Sequence, residues 1–134
     1  MINVRDLAIA NWVYDGDYTK FPMRVVGLGE DYVYLDFEGR EGDIWECKPE
    51  ELQGIPLTDD LMEKLGFSYK DGLWRHQWGI KVKPDAGFVN IENKDKENWL
   101  YGTCNCKDIW YLHQLQNLIA IITKKEIKID IWSK

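Results

Sequence analysis

The feature that most constrains this chain is a strict alternation. In Tyr32-Val33-Tyr34-Leu35-Asp36-Phe37, Val33, Leu35 and Phe37 point one way, and Tyr32, Tyr34 and Asp36 the other. A side-chain period of two belongs to a strand with one face buried. Similar short runs at residues 8–14, 23–28 and 43–47 are separated by turn clusters, Asp15-Gly16-Asp17, Gly29-Glu30-Asp31 and Gly39-Arg40-Glu41-Gly42. Short strands joined by glycine-containing turns predict a meander curled into a small SH3-like barrel.

The pattern then changes. Residues 49–56 read as a connector with one helical turn near Glu50, Glu51 and Leu52. Thr58 is an N-cap candidate, with Asp59 and Asp60 in the first turn, where the helix dipole favours acids. Leu61, Met62 and Leu65 form a stripe. Gly66 and Phe67 fit the left-handed stop and its hydrophobic contact, which predicts a helix over 59–65. Strands follow at 67–69 and 73–78, flanking Lys70-Asp71-Gly72, a hairpin signal. Further strands are expected at 80–83, 88–92 and 99–101. Asp108 is placed to cap a helix over 109–123, whose stripe is Leu112, Leu115, Ile119 and Ile122. Ile127, Ile129 and Ile131 alternate with Lys128, Asp130 and Trp132 as a half-buried terminal strand; as an edge it could pair two copies into a homo-oligomer. The expected class is α+β: an SH3-like meander over 1–57, then over 58–134 a short helix and an antiparallel sheet packed by the longer helix, the two sharing a core.

At 134 residues, with 45% hydrophobic and 30% charged residues, the chain can bury a core without metal or disulfide help. The start, Met1-Ile2-Asn3-Val4-Arg5-Asp6, is not a secretion signal. The longest apolar run, Leu118-Ile119-Ala120-Ile121-Ile122, is too short for a bilayer. Three cysteines make no closed disulfide framework, so reduced thiols in a cytoplasm are expected. A net charge of -6 disfavours duplex nucleic acid and suits a basic partner; a local cluster of cations can still hold a small anion.

Four pieces carry a resemblance: Asn11-Trp12-Val13, Ile55-Pro56-Leu57-Thr58, Leu65-Gly66-Phe67, and Tyr111-Leu112-His113-Gln114-Leu115-Gln116-Asn117-Leu118. With them the chain resembles a group of short, uncharacterised proteins of gut bacterial genomes, their phages and mobile elements. The resemblance implies an accessory gene product and assigns no activity, so no functional residue comes from it. Read directly, His113, Gln114, Gln116 and Asn117 are either a recognition face or amides that satisfy nearby loops.

Catalytic signatures are missing. Cys104-Asn105-Cys106 with His113 lacks the spacing and the fourth ligand of a zinc site. Cys47, Cys104 and Cys106 with His76 or His113 could make a nucleophile pair only if folding joined them, and no hydrolase signature surrounds them. Asp59-Asp60 and Glu50-Glu51 are explained as helix starts. Neither a Walker A loop nor GxGxxG occurs. No metal, cofactor or catalytic residue is assigned.

There are 7 Trp and 7 Tyr, more than a core of this size needs. Such rings combine an apolar body with a polar handle and often line grooves. The densest constellation is Trp74, Arg75, His76, Trp78, Lys81 and Lys83. On one strand Trp74, His76 and Trp78 share a face and Arg75 the other; a stacking surface beside cations suits a planar or anionic ligand. The alternative is that the indoles face the core. The leading expectation is a non-enzymatic binding protein that engages an unidentified protein through aromatic β surfaces. A binder of small nucleotide-like ligands comes second, and a small hydrolase third.

Overall fold

The computed structural model describes residues 2, 4–16, 21–36, 44–94, 96–97, 102–129 and 131. Among the expected features, Asp17, Phe37, the turn at 39–42, Asp43, the strand at 99–101, Asp130 and Trp132 lie outside them. The protein is mixed α+β, with two five-stranded antiparallel sheets, a short helix and a longer one. The chain divides into two units. The first comprises Met1–Pro56 and Tyr111–Asn117, the second Leu57–Trp110 and Leu118–Ile131.

In the first unit, β1 (Trp12–Tyr14), β2 (Pro22–Leu28), β3 (Val33–Asp36), β4 (Ile44–Cys47) and β5 (Gln53–Gly54) pair in the order β4-β3-β2-β1-β5. The alternation of residues 32–37 holds in β3 as far as Leu35, with Val33 and Leu35 fully buried and Tyr34 half-buried, but Asp36, expected on the open face, is buried with the Arg24 guanidinium 3.4 Å from its carboxylate. Val33 and Leu35 join Val13, Met23, Val25 and Leu52 in one core. The first strand is shorter than 8–14 because Ala10 takes a positive φ of 78° just before it. The helical turn expected near residue 50 is a 3-10 turn, Pro49–Glu51, and the connector then supplies β5, paired with β1 through Val13 opposite Gly54. Two residues with no alternation to display left that strand invisible in the sequence.

The second unit starts with α1 (Asp59–Lys64). The Thr58 hydroxyl accepts from the Leu61 N–H at 3.2 Å, Gly66 turns at φ +89°, and the Phe67 N–H reaches the Met62 carbonyl at 3.1 Å. Both ends are thus set by the residues that predicted them. Next come β6 (Ser68–Lys70), β7 (Leu73–His76), β8 (Ile80–Lys83), β9 (Phe88–Asn93) and β10 (Gly102–Cys106), in consecutive order. Asp71 and Gly72 both take positive φ, 53° and 82°, as a two-residue hairpin requires.

Helix α2 (Leu112–Thr123) begins later than 109. Asp108 does not cap it: that residue sits at φ 62°, and the backbone beyond is drawn into extended contacts, with the Ile109 N–H on the Gly87 carbonyl at 3.0 Å. Its Leu112–Asn117 half belongs to the first unit and its Leu118–Thr123 half to the second. In the second unit, Ile119 and Ile122 are buried and the Asn93 amide donates to the Ile122 carbonyl at 2.9 Å.

Among the described residues the terminal strand is not formed. Lys124 turns at φ 59°, and residues 125–129 carry no ladder. Ile127 is buried, Lys128 exposed and Ile129 half-buried, so the alternation describes burial correctly. A strand also needs a backbone partner, which alternation cannot supply.

Candidate functional site

Five of the residues expected to line a ligand groove, Trp74, Arg75, His76, Trp78 and Lys81, are spread over β7, the turn after it and β8. Trp74 faces inward at 6% exposure, opposite Val82, and its indole N–H donates to the Asp59 carboxylate at 3.2 Å. Arg75 and Lys81, directly opposite each other, point outward. His76 lies on Trp74's side, its ring 5.0 Å from Phe67. Trp78 is not on the strand. β7 ends at His76, and Gln77, Trp78 and Gly79 make a turn in which the Trp78 N–H donates to His76 Nδ1 at 3.2 Å. Gly79 takes φ +83°, and a Cβ there would stand 2.6 Å from the Glu92 carbonyl oxygen. That glycine carried the turn signal, hidden by aromatic neighbours that favour strand.

Trp74 and the exposed Tyr69 ring meet edge to face at 5.4 Å and wall one side of a trough of about 880 Å³. Thr58, Asp59 and Glu63 of the α1 end form the other side, and Lys83, Pro84 and Asp85 close it. Three carboxylates against one ammonium give it an acidic lining, and Tyr69 is 63% exposed over it. A concave surface with an aromatic wall and few convergent polar groups is the usual form of a recognition site. Neither Tyr69 nor Glu63 was singled out in the sequence, because only the β6–β7 register brings Tyr69 opposite Trp74.

A smaller hollow of about 270 Å³ opens beside the Trp78 turn, between Gln77, Glu92, Lys94, Thr123 and Lys125. The Lys125 ammonium stands 5.3 Å from the Trp78 ring centre, and Trp78 packs edge-on to His76 at 4.6 Å. Burial and then the Lys125 charge hold His76 below its ordinary pKa.

The helix face 113–117 is mostly spoken for. Gln116 accepts from the Trp12 N–H at 3.0 Å and donates to the Ala10 carbonyl at 3.2 Å. Asn117 donates to the Asp6 carbonyl at 2.9 Å and pairs with Asn11. Gln114 accepts from the Tyr111 N–H at the helix start. His113 is buried, its Nδ1 has no hydrogen-bond partner among the described residues, and Tyr111 stacks on it at 6.0 Å. Burial lowers its pKa against the opposing charge of Asp6.

The cysteines form no nucleophile pair with either histidine: no thiol hydrogen-bonds to an imidazole among the described residues. Burial, then Asp15 and Glu51, raises the Cys47 pKa; burial, then Cys104, raises that of Cys106, so both thiols stay protonated and weakly nucleophilic near neutral pH. Among the described residues no cluster of His, Cys, Asp or Glu could hold a metal, and no helix is long and apolar enough to cross a membrane. No family model, curated protein or solved structure matches the chain.

Proposed function

We propose that this chain is a non-enzymatic binding protein, acting in the cytoplasm, whose Tyr69–Trp74 trough holds a basic segment of a partner protein. The observation that carries the reading is the pairing of a largely exposed tyrosine with a carboxylate-rich rim in one concavity. An arginine or lysine side chain would lay its stem on the Tyr69 ring and its charge against Glu63 and Asp85. The net charge of -6 adds long-range attraction for such a partner. The first unit enters the same reading as an SH3-like module, supported by its strand order and by the 3-10 turn between β4 and β5. A role as a phage or mobile-element accessory protein is compatible with binding without catalysis.

The test is a fluorescence titration of the whole chain with short peptides that differ only in replacing Lys and Arg by Glu. Basic peptides should bind, and Tyr69→Ala or Glu63→Lys should weaken them at least tenfold with little change in Tm, since both side chains are exposed. Equal binding of acidic and basic peptides would sink the proposal.

A second reading, capture of a small planar anion, is favoured by one observation only: Lys125 and Lys94 beside the Trp78 ring. A thermal-shift series of nucleoside monophosphates and aromatic carboxylates tests it, because a ligand specific to the folded state raises Tm. Loss of any shift in Trp78→Ala would assign the ligand to that hollow.

A further inference from the structure

We infer that the outer face of the second sheet is a binding surface for single-stranded nucleic acid, separate from the trough. The register across the sheet runs Ser68, Arg75, Lys81, Asn90, Asn105, each directly opposite the next. The alternate residues Trp74, Val82 and Val89 are buried, so this row lies on the opposite face, with Ser68 and Asn105 exposed and Arg75, Lys81 and Asn90 half-buried. With neighbouring strands about 4.8 Å apart, Arg75 to Asn105 extends over about 14 Å.

Two facts about the row are not explained by folding. Arg75 and Lys81 are like charges in the closest cross-strand relationship a sheet offers, an arrangement that costs stability. Neither side chain pairs with a carboxylate among the described residues; Arg75 instead donates from Nε to the Lys70 carbonyl at 3.4 Å, which orients its guanidinium. Lys83, two positions further along β8, belongs to the rim of the trough and is not counted here, and Glu92 is the acid on the outward side of β9. In a chain of net charge -6, such clustering calls for an anionic occupant.

The neighbours favour a nucleic acid over an acidic peptide. Phe88, half-buried and two positions from Asn90 on the same side of β9, offers a ring face on the diagonal from Lys81, the combination that stacks an unpaired base next to its phosphate. Asn90 donates to Asn105 at 2.7 Å, which fixes the two amides as a pair on this face. They can exchange hydrogen bonds with base edges, which an acidic side chain does not present. The single-stranded form is favoured because only splayed bases can reach the ring.

The experiment is fluorescence anisotropy of a labelled twelve-residue oligothymidylate with the whole chain at several salt concentrations. The strand should bind in low salt, and the double variant Arg75→Gln/Lys81→Gln should lose at least tenfold in affinity. Its slope of log affinity against log salt should become shallower by about 1.4, since each phosphate neutralised on a single strand contributes about 0.7. Phe88→Leu should weaken binding without altering the slope. The double variant should keep or slightly raise the wild-type Tm, since the like-charge pair is gone, and should keep basic-peptide binding, which separates this face from the trough. No binding at low salt, an unchanged slope in the double variant, or equal competition by poly-glutamate or by a duplex of the same length would each overturn the inference.

Discussion

Gln116 on α2 accepts a hydrogen bond from the backbone N–H of Trp12, 104 positions earlier in the chain, while its own amide donates to the carbonyl of Ala10. One side chain thereby satisfies two backbone groups where the chain turns into β1. Gln116→Ala should leave the buried Trp12 donor without its partner and cost about 1–3 kcal/mol, read from urea unfolding followed by tryptophan fluorescence. A change within 0.5 kcal/mol, the usual range for surface substitutions, would mean that water takes over the role.

Tyr111 lies over Gly54. A Cβ at Gly54 would stand 2.5 Å from the ring, too close for either to remain in place. Gly54→Ala should destabilise by about 1–3 kcal/mol through overpacking. The same change in a Tyr111→Ala background should cost less, since the ring is gone and only the Cβ of residue 111, 3.0 Å away, still crowds it. Calorimetry on the four chains of this cycle measures the coupling; additive effects would show that the ring does not rest there.

The two indoles expected to act together should part company on truncation. Trp74→Ala removes a buried ring and its bond to Asp59, and should cost about 3–5 kcal/mol. Trp78→Ala, in a half-exposed turn, should cost about 1 kcal/mol or less. Thermal unfolding decides: comparable losses would put Trp78 in the core and remove the hollow beside it.

Lys81→Glu turns a like-charge pair into an opposite-charge pair. It should raise stability by about 0.2–1 kcal/mol while abolishing oligonucleotide binding. Stability and binding moving in opposite directions is the expected mark of a residue kept for recognition.

Both described histidines have pKa values lowered in the folded chain, each chiefly by burial. Protonation therefore favours the unfolded state. The stability that depends on the neutral imidazoles is complete above their unfolded value, near 6.5, and declines as pH falls through that value toward the lower folded one. His113, the more buried, should dominate, so His113→Gln should flatten the decline in Tm between about pH 7 and pH 5. An unchanged profile would show that the carboxylates alone govern it.

Much of the fold was legible where a residue acts on its own neighbourhood. Thr58 and Gly66 bound α1, Asp71-Gly72 closes a hairpin, and alternation located β2, β3, β8 and β9, because each effect needs only contacts a few positions apart. The misreadings share one physical cause. Whether Gly54 joins a ladder, whether residues 127–129 find one, and where α2 begins all depend on backbone partners supplied by distant parts of the chain.

The candidate site divides the same way. The sequence determined that Trp74, Arg75 and His76 alternate in orientation, since a strand has two faces. It could not say which face is covered, nor that Tyr69, Glu63 and Asp85 would gather around Trp74, nor that Lys125 would come to stand over Trp78. Those are meetings between elements remote in sequence, and only tertiary packing, which buries Trp74 and leaves Tyr69 exposed and Arg75 half-buried, decides them.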